Sequence, residues 1–494
     1  MFCGIYLTMN ILSFIEKSAK AYPDKKAFVY GNTAYSYSEA VAIAKSLATL
    51  IPKDIKNSPI SVIADRNVDT ALYFLAVIYS GNFYVPIDPD APSEKIQSII
   101  DDCGCKVIFG SSKPENYNGL FFTINDKPNA VCDIPELDES SPLYMVYTSG
   151  STGKPKGVLK SHGAVMSFVQ AYTDTFDFST SDVIGNQTPF FFDASAKDFY
   201  LSLKIGATLE IIPTEKFAMP TDLVEYLNER KITFISWVPT ALSIVAQLRT
   251  FNYILPKYLQ KVFFVGEVMP MKYLNVWRKA LPDVQFVNLY GQSELAGISC
   301  YYEVKGEFAD SETLPMGKPL CNCKLYLLEG DTLITEPGKI GEIYVVSDAL
   351  ATEYYNDTEK TAKSFINKDF DDGEVRCFKS GDLASIDEQG NFIFASRSDF
   401  QIKHLGHRIE LGEIEAIAGA LPEIKRCACL YNSEKQAIVL FAEVNDENTT
   451  PRDIKHILRQ KLSSYMLPEK VKILDSLPIN ANGKIHRTKL KEML

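Results

Sequence analysis

The chain has 494 residues, of which 46% are hydrophobic and 23% are charged, and its formal net charge is −11. This composition is typical of an ordinary globular protein of two or three domains, and the negative charge argues against nucleic acid as a main partner. No apolar run approaches the length of about 20 residues that a membrane helix needs, and the first nine residues do not resemble a signal peptide. We therefore expect a cytoplasmic protein without a membrane partner, which acts as a monomer and starts at Met1 or Met9.

The ten cysteines of the chain are too sparse to form a disulfide framework. Six of them form C-x-C pairs: Cys103/Cys105, Cys321/Cys323 and Cys427/Cys429. Both members of such a pair point to one face of a strand. We therefore interpret them as small core residues and not as a metal–thiolate site, which usually shows C-x-x-C with a second ligand pair.

The first part of the chain, residues 10 to 140, alternates helical and strand patterns as an α/β domain does. The spacing of Ile11, Leu12 and Phe14 predicts a helix near the start. Val68 to Tyr79 predicts a second helix, which ends before Gly81.

A glycine-rich loop follows an apolar run that predicts a buried strand, residues 143 to 147. The loop, T-S-G-S-T-G-K-P-K-G at 148 to 157, combines three glycines, four hydroxyls and two lysines, which suits phosphate. It is not a Walker A loop, because Pro155 follows Lys154. The alternative, a flexible linker, would not normally follow a buried strand. The predicted phosphate contacts are Thr148, Ser149, Gly150, Ser151, Thr152, Gly153, Lys154 and Lys156.

A second polar position, Asp193, comes directly after three phenylalanines. A carboxylate in such surroundings is costly to bury unpaired, so it either caps a helix that begins at Ala194 or waits for a cation. Lys197 lies one helical turn further along the same face, where it either pairs with Asp193 or reaches a ligand. His162 is interpreted as a structural residue.

Two buried strands of a parallel sheet are predicted at residues 232 to 239 and 261 to 267. A third strand, 285 to 287, runs into N-L-Y-G-Q-S-E at 288 to 294. The strands of open α/β sheets end at the ligand crevice. Glu294 beside a phosphate loop would suit Mg²⁺.

Taken in order, these segments resemble the motifs of the adenylate-forming superfamily, which includes acyl-CoA synthetases, luciferases, nonribosomal peptide adenylation domains and D-alanine–carrier protein ligases. Further matches are F-K-S-G-D at 378 to 382 and L-P-I-N-A-N-G-K at 477 to 484. The resemblance implies an α/β fold with a large N-terminal adenylation core, 1–398, of parallel and mixed sheets with helices. It also implies a small, mobile α+β C-terminal domain, 399–494.

The resemblance implies a nucleotide site for ATP and Mg²⁺. Its implied members are Asn288 and Tyr290 at adenine, Gly291, Ser293 at the α-phosphate, Glu294 at Mg²⁺, Asp382 at the ribose, and Arg397 at ribose or phosphate. Gln292 replaces the usual proline, which we expect to matter little.

Two further roles come only from the resemblance. Lys484, which by composition would be a surface lysine, would bridge the substrate carboxylate and the α-phosphate. Asp399, within what would otherwise be a charged β-hairpin, would be the hinge between the domains. The implied catalytic residues are Lys484, Glu294 and Thr148.

The match to F-D-x-S implies that Asp193 grips the α-ammonium of an amino acid. The other implied substrate contacts are Ala194, Lys197, Ser236, Phe263, Val265, Leu289, Gly297, Ile298 and Lys484. A buried Lys197 without a permanent partner would favour an acidic or amide side chain. If Lys197 and Asp193 neutralise each other instead, a small apolar pocket remains.

The predicted function is therefore ATP-dependent adenylation of an amino acid, followed by transfer to the phosphopantetheine thiol of a carrier protein. We expect the carrier to act in trans, since the chain ends seven residues after Arg487. The alternatives are a D-alanine–carrier protein ligase, an acyl- or aryl-CoA synthetase, and an inactive nucleotide-binding homologue.

Overall fold

The computed structural model describes residues 10–148, 155–370, 373–397, 401–446, 448–479 and 485–494, apart from the side chain of Thr488. The strands, in chain order, are β1 Lys26–Tyr30, β2 Thr33–Ser36, β3 Pro59–Ile63, β4 Phe83–Ile87, β5 Val107–Phe109, β6 Leu120–Phe122, β7 Pro142–Thr148, β8 Lys156–Ser161, β9 Val183–Asn186, β10 Thr208–Ile211, β11 Phe234–Trp237, β12 Lys261–Val265, β13 Gln285–Tyr290, β14 Cys300–Glu303, β15 Lys318–Pro319, β16 Cys323–Glu329, β17 Thr332–Ile334, β18 Gly341–Ser347, β19 Glu353–Tyr354, β20 Phe365–Phe370, β21 Gly373–Ile386, β22 Phe392–Arg397, β23 Gln401–His404, β24 His407–Glu410, β25 Ile424–Asn432, β26 Ala437–Val444 and β27 Lys470–Ile473.

The α-helices are α1 Leu12–Ala21, α2 Tyr37–Ala48, α3 Val68–Tyr79, α4 Ser93–Cys103, α5 His162–Thr175, α6 Ala194–Ile205, α7 Pro220–Glu229, α8 Pro239–Gln247, α9 Met271–Ala280, α10 Thr358–Ser364, α11 Leu411–Gly419, α12 Pro451–Arg459 and α13 Arg487–Lys491.

Two large sheets carry the N-terminal part. The nine-stranded sheet has the order β15-β14-β13-β12-β11-β9-β10-β1-β2, and its stretch from β13 to β1 is parallel. The seven-stranded sheet has the order β19-β8-β7-β4-β3-β5-β6, in which β7 to β6 are parallel. These sheets confirm the predicted α/β class and the predicted parallel arrangement of β11, β12 and β13.

Helix α3 shows how this core is built. Asn67 caps it by accepting a hydrogen bond from the amide of Thr70, and every residue of the helix except Asp69 is buried. It packs on strands β1 and β2 of one sheet and on β3 and β4 of the other. Because both sides of the helix face a sheet, nearly all of its positions must be apolar.

A six-stranded antiparallel sheet follows, with β17-β16-β18-β21-β20 in order and β22 paired to β21. The C-terminal part then forms a β23–β24 hairpin and a separate sheet of β25, β26 and β27. A core of its own lies between that sheet and helices α11 and α12. The predicted boundary at 398/399 lies outside the described residues and remains a prediction.

The C-x-C pairs are only partly as predicted. Cys427 and Cys429 do share one face of β25, but Cys103 ends α4 and Cys105 follows it, because Gly104 adopts a left-handed conformation that ends the helix. Cys321 is exposed while Cys323 is buried. Within the described ranges no group of three or more His, Cys, Asp or Glu side chains is placed to hold a metal. No helix of the described chain has the length and apolar character to cross a membrane.

Candidate active site

One cavity of about 250 Å³ lies where several parallel strands end. Its walls include Thr148 at the end of β7, Val238 after β11, Val265 at the end of β12 and Gly291 after β13. Its remaining wall is the hairpin of β23 and β24. This position, at the carboxyl ends of parallel strands, is where open α/β sheets bind ligands.

Nine of the predicted site residues line this cavity. They are Thr148, Asp193, Ala194, Val265, Gly291, Ser293, Gly297, Asp382 and Arg397. The predicted residues that lie behind or beside the lining are Lys156, Lys197, Ser236, Phe263, Asn288, Leu289, Tyr290, Glu294 and Ile298.

The predicted ribose contact, Asp382, is the centre of a buried group of polar side chains. The guanidinium of Arg397 donates to its Oδ1 at 2.5 Å, and the hydroxyl of Tyr290 donates to its Oδ2. Asp382 is 2% exposed, so its charge is balanced inside the protein by Arg397. Asp382, the predicted ribose contact, is therefore hydrogen-bonded both to Tyr290, the predicted adenine contact, and to Arg397.

Two predicted adenine contacts are engaged with protein groups. Asn288 donates its Nδ2 to the carbonyl of Pro315 at 2.7 Å, and Lys403 Nζ lies 5.1 Å from the centre of the Tyr290 ring. The amide of Gln292, by contrast, is buried at the cavity with no partner for its nitrogen or its oxygen among the described residues. Buried amides normally have partners, so Gln292 offers a ligand both a donor and an acceptor.

Glu294, the predicted Mg²⁺ ligand, has both carboxylate oxygens occupied. The Tyr354 hydroxyl donates to Oε1 at 2.6 Å, and the Arg408 guanidinium donates to Oε2 at 2.5 Å. Burial alone would raise the pKa of Glu294, but Arg408 and Tyr354 outweigh it and lower the pKa to about 2. The carboxylate is therefore ionised, and Arg408 of β24 supplies the positive charge beside it.

A second ion pair joins the hairpin to the predicted phosphate loop. Lys156, which closes the loop at the start of β8, lies 3.3 Å from Glu410 Oε1, and Gln401 donates to the same oxygen at 2.8 Å. Lys156 is thus held at the site while the rest of the loop, Ser149 to Lys154, lies outside the described residues.

The hairpin tip contacts the N-terminal part through Glu267 and Phe192 and the C-terminal part through Tyr465. The amide of Gly406 donates to Glu267 at 2.7 Å, and the ring of His407 stacks on Tyr465 with centres 3.9 Å apart. The rings of Phe192 and His407 lie edge to face, with their centres 4.3 Å apart. Burial lowers the pKa of His407 to about 3, with His404 and Lys95 adding to the effect, so the ring is neutral.

The predicted ammonium ligand, Asp193, is placed by strands β7 and β8. Its Oδ1 accepts from the Tyr144 hydroxyl at 2.9 Å and from Lys160 Nζ. Asp193 precedes helix α6 but gives it no capping hydrogen bond, so the capping interpretation is wrong. Its side chain keeps 13% exposure and lines the cavity.

Lys197 does not fit the predicted role of a lysine that lacks a permanent partner. Its ammonium donates to Asp198 Oδ1 at 3.1 Å, to the carbonyl of Ala194 at 3.1 Å and to that of Ser236 at 3.3 Å. These three bonds use all three N–H groups, and the side chain is absent from the cavity lining. The expectation of an unpaired Lys197 is therefore wrong, and so is the alternative that it neutralises Asp193.

An aromatic ring packs against Gly297, which lines the cavity. Gly297 has a φ of +80°, and a Cβ placed on it would lie 2.2 Å from the ring of Phe168. Phe168 in turn packs on Tyr172 with ring centres 5.2 Å apart. Little room therefore remains behind Gly297 for a long substrate side chain.

Besides Ser149 to Lys154, two further predicted residues cannot be placed. Lys484 and Asp399 lie outside the described residues, so their roles remain predictions. Three residues that the sequence reasoning gave no role, Lys160, Gln292 and Arg408, contribute to the site. Lys160 is the one with a usable signal, since a lysine that follows Val158 and Leu159 in the buried stretch of β8 has to find a buried partner. His162 is structural as predicted: its Nδ1 accepts from the amide of Ile11 at 3.2 Å.

Comparison with known families identifies the class of protein. Residues 15–355 match the AMP-binding enzyme family, and residues 413–484 match the AMP-binding enzyme C-terminal domain. The chain belongs to the AMP-binding enzyme family. This confirms the membership that the motifs predicted.

Individual relatives show how much of the chain is shared with proteins of named function. The chain is 31% identical to a D-alanine--D-alanyl carrier protein ligase of Bacillus cytotoxicus, over 98% of this chain and 99% of that protein. It is 29% identical to Tyrocidine synthase 1 of Brevibacillus parabrevis over 98% of its own length, but it spans only 45% of that larger protein.

A solved structure confirms the fold. PA1221, described as an NRPS protein containing adenylation and PCP domains, superposes with a TM-score of 0.88 at 21% identity, covering 99% of this chain and 85% of that one. The arrangement of a large N-terminal part and a smaller C-terminal part is therefore the one predicted.

Proposed function

We propose that this chain is an ATP-dependent ligase that adenylates an amino acid, releases pyrophosphate, and transfers the aminoacyl group to the phosphopantetheine thiol of a separate carrier protein. The observation that carries the proposal is that a single cavity is lined both by Asp193 and by Asp382 with its partner Arg397. A carboxylate suits an ammonium, and the second pair suits a ribose phosphate. The relatives, among them a carrier protein ligase and Tyrocidine synthase 1, support this proposal.

The residues at the cavity fit ATP. The unpartnered amide of Gln292 offers hydrogen bonds, Ser293 offers a hydroxyl, and Lys156 stands at the end of the predicted phosphate loop. Charge develops on the α-phosphate oxygens as the amino acid carboxylate attacks, so fixed cations and donors lower the barrier. Lys484 is the predicted cation for this step.

Mg²⁺ fits the donor set at Glu294, because Mg²⁺ takes one or two protein carboxylates and completes its shell with phosphates and water. When bound, it would neutralise phosphate charge. The same oxygens are engaged by Arg408 and Tyr354 here, so the ion and Arg408 exclude each other at Oε2. We infer that adenylation takes place with the hairpin withdrawn, and thiol transfer with the hairpin in the cavity, as it is in this structure.

The substrate side chain is proposed to be small. The ammonium of Lys197 has all three donors engaged, so it gives no reason to expect an acidic or amide substrate. The ring of Phe168 packs against Gly297 and leaves no space behind it. An amino acid of about the size of alanine fits this end, and D-alanine is the first candidate because it is named in the full-length relative.

A pyrophosphate-exchange panel tests the proposal. It compares D-alanine, L-alanine, glycine, serine, aspartate and asparagine with propionate and lactate, which lack an α-ammonium. We expect the fastest exchange with one of the small amino acids and at least about tenfold less with the two acids, since removing a partner of a buried charge costs several kcal/mol.

The acceptor is tested by adding CoA or a phosphopantetheinylated carrier protein to the same reactions. Aminoacyl transfer to the carrier protein is the expected result. Exchange that is fastest with propionate, together with transfer to CoA, would replace the proposal with an acyl-CoA synthetase. The absence of exchange with every acid would favour an inactive nucleotide-binding homologue.

A further inference from the structure

A fully buried lysine stands directly behind the proposed ammonium ligand. Lys160 is 0% exposed, and its ammonium donates to Asp193 Oδ1 and, at 3.3 Å, to the hydroxyl oxygen of Tyr144. It also lies 5.1 Å from the centre of the Tyr144 ring. A lysine buried this completely is expensive unless it has a carboxylate partner, so its position is set by Asp193.

The two bonds that Asp193 receives from the described residues end on the same oxygen. Tyr144 and Lys160 both reach Oδ1, while Oδ2 receives no hydrogen bond from the described chain. Because the side chain also lines the cavity, Oδ2 is the oxygen left for a ligand. Two bonds on one oxygen fix the rotation of the carboxylate and thereby the direction of the other oxygen.

We propose that Lys160 is a specificity-determining positioning residue, which together with Tyr144 keeps Asp193 ionised and aims its Oδ2 at the α-ammonium of the substrate. The inference rests on the proposed function, because it concerns how the amino acid is recognised. Lys160 itself does not touch the substrate. Its effect is transmitted through Asp193.

The electrostatic surroundings agree with this role. Burial raises the pKa of Asp193, and the ammonium of Lys160 and the hydroxyl of Tyr144 oppose that rise. Glu294 raises the pKa of Asp193 further across the cavity. Other titratable groups near the pair include Tyr84 and Tyr200. The cavity lining adds the charged or titratable side chains of Asp382, Arg397, Lys403, His407, Arg408 and Tyr465.

The charge balance of the site also favours an amino acid zwitterion. Lys160 with Asp193 is neutral, and so is Arg408 with Glu294. A substrate with one ammonium and one carboxylate therefore adds no net charge to the buried site. A substrate that carries an additional side-chain cation would face Lys160 without a compensating anion.

The test compares Lys160→Met with Lys160→Gln, which retains a hydrogen-bond donor but not the charge. Kinetics of pyrophosphate exchange are measured for the amino acid and for ATP. We expect Lys160→Met to raise the KM for the amino acid by about tenfold or more. Lys160→Gln should have an intermediate effect. The kcat and the KM for ATP should remain within about threefold of the wild type, because Lys160 acts only through Asp193.

The pH profile provides the readout that a purely structural role would not change. Without the ammonium of Lys160 the pKa of Asp193 rises, and the carboxylate then protonates at a higher pH. As the pH is lowered from about 9 to about 6, the amino acid kcat/KM of Lys160→Met should therefore start to fall at a higher pH than that of the wild type. Lys204→Met, on the partly exposed side of the helix α6 that follows Asp193, should leave the profile in place.

The outcomes separate the possibilities. An unchanged or lowered amino acid KM in Lys160→Met, or an unshifted pH profile, would overturn the positioning role. A lower kcat together with higher KM values for the amino acid and for ATP, equal in both variants, would show a structural role only. That result would also overturn the positioning role. Failure of the wild type to exchange pyrophosphate with any amino acid would instead reject the proposed function, on which this inference depends.

Discussion

At the scale of single residues, the site is organised by buried ion pairs whose members come from distant parts of the chain. Lys160 and Asp193 are 33 residues apart, and Arg408 and Glu294 are 114 residues apart. Removing one member leaves an uncompensated buried charge, which typically costs about 3–5 kcal/mol. Removing one member of such a pair is therefore expected to lower either the stability of the protein or its activity strongly.

Lys484 is the residue on which the first half-reaction is predicted to depend. Lys484→Ala should reduce adenylate formation by about 10² or more, because its charge is needed only where negative charge develops at phosphorus. Transfer from chemically prepared aminoacyl adenylate to the carrier thiol should survive. Single-turnover assays of the two steps measure this, and equal loss of both steps, or of neither, would contradict the assignment.

Sequence motifs predicted most of the site's composition but not its pairing. The resemblance predicts that Asp193, Asp382 and Arg397 share one site, and all three line one cavity. It could not predict that Lys197 pairs with Asp198, since neighbours in a helix do not normally face each other. Pairing depends on side-chain direction in the packed structure, which spacing alone does not determine.

At the scale of elements, the decisive one is the β23–β24 hairpin, which supplies part of the cavity wall. By sequence it is also compatible with an ordinary charged hairpin, because its charges show their partners only after folding. Its tip residue Gly406 has a φ of +79°, and a Cβ there would lie 2.4 Å from Val238 Cγ1. The hairpin can occupy this position only with a glycine at its tip.

Gly406→Ala should therefore disfavour the arrangement in which the hairpin fills the cavity. We expect slower transfer to the carrier thiol, by about tenfold, with little change in pyrophosphate exchange, because only the transfer step uses this arrangement. Gly390→Ala is the matched control: Gly390 has a similar φ of +78° but open space around it. Equal effects of the two variants on transfer would show that backbone strain, and not the contact with Val238, is responsible.

At the scale of the whole molecule, the two parts of the chain are joined at several points around one cavity. Lys95 on α4 lies 3.7 Å from Glu413 of α11 and 3.3 Å from Ser463. Arg408 reaches Glu294 in the centre. The smaller part therefore contributes to the cavity wall and engages Glu294 Oε2, the oxygen at which we propose that Mg²⁺ would bind.

Arg408→Ala should separate these two roles. With Oε2 of Glu294 released, we expect adenylation to reach half its maximal rate at a lower Mg²⁺ concentration, while thiol transfer slows. Tyr354→Phe removes the other contact of Glu294 from within the large part and should leave the transfer step less affected. Titration of both half-reactions with Mg²⁺ measures this, and an unchanged Mg²⁺ dependence in Arg408→Ala would refute the exclusion.

Under the proposed function, the contact between Arg408 and Glu294 would also give the reaction a direction. With the hairpin in the cavity, pyrophosphate from solution would find Glu294 engaged by Arg408 and the cavity partly filled. The aminoacyl adenylate would then be protected from the reverse reaction, even at a high concentration of pyrophosphate. The guanidinium of Arg408 would in this way block the reverse reaction, so that the free energy of ATP cleavage would be used to form the thioester.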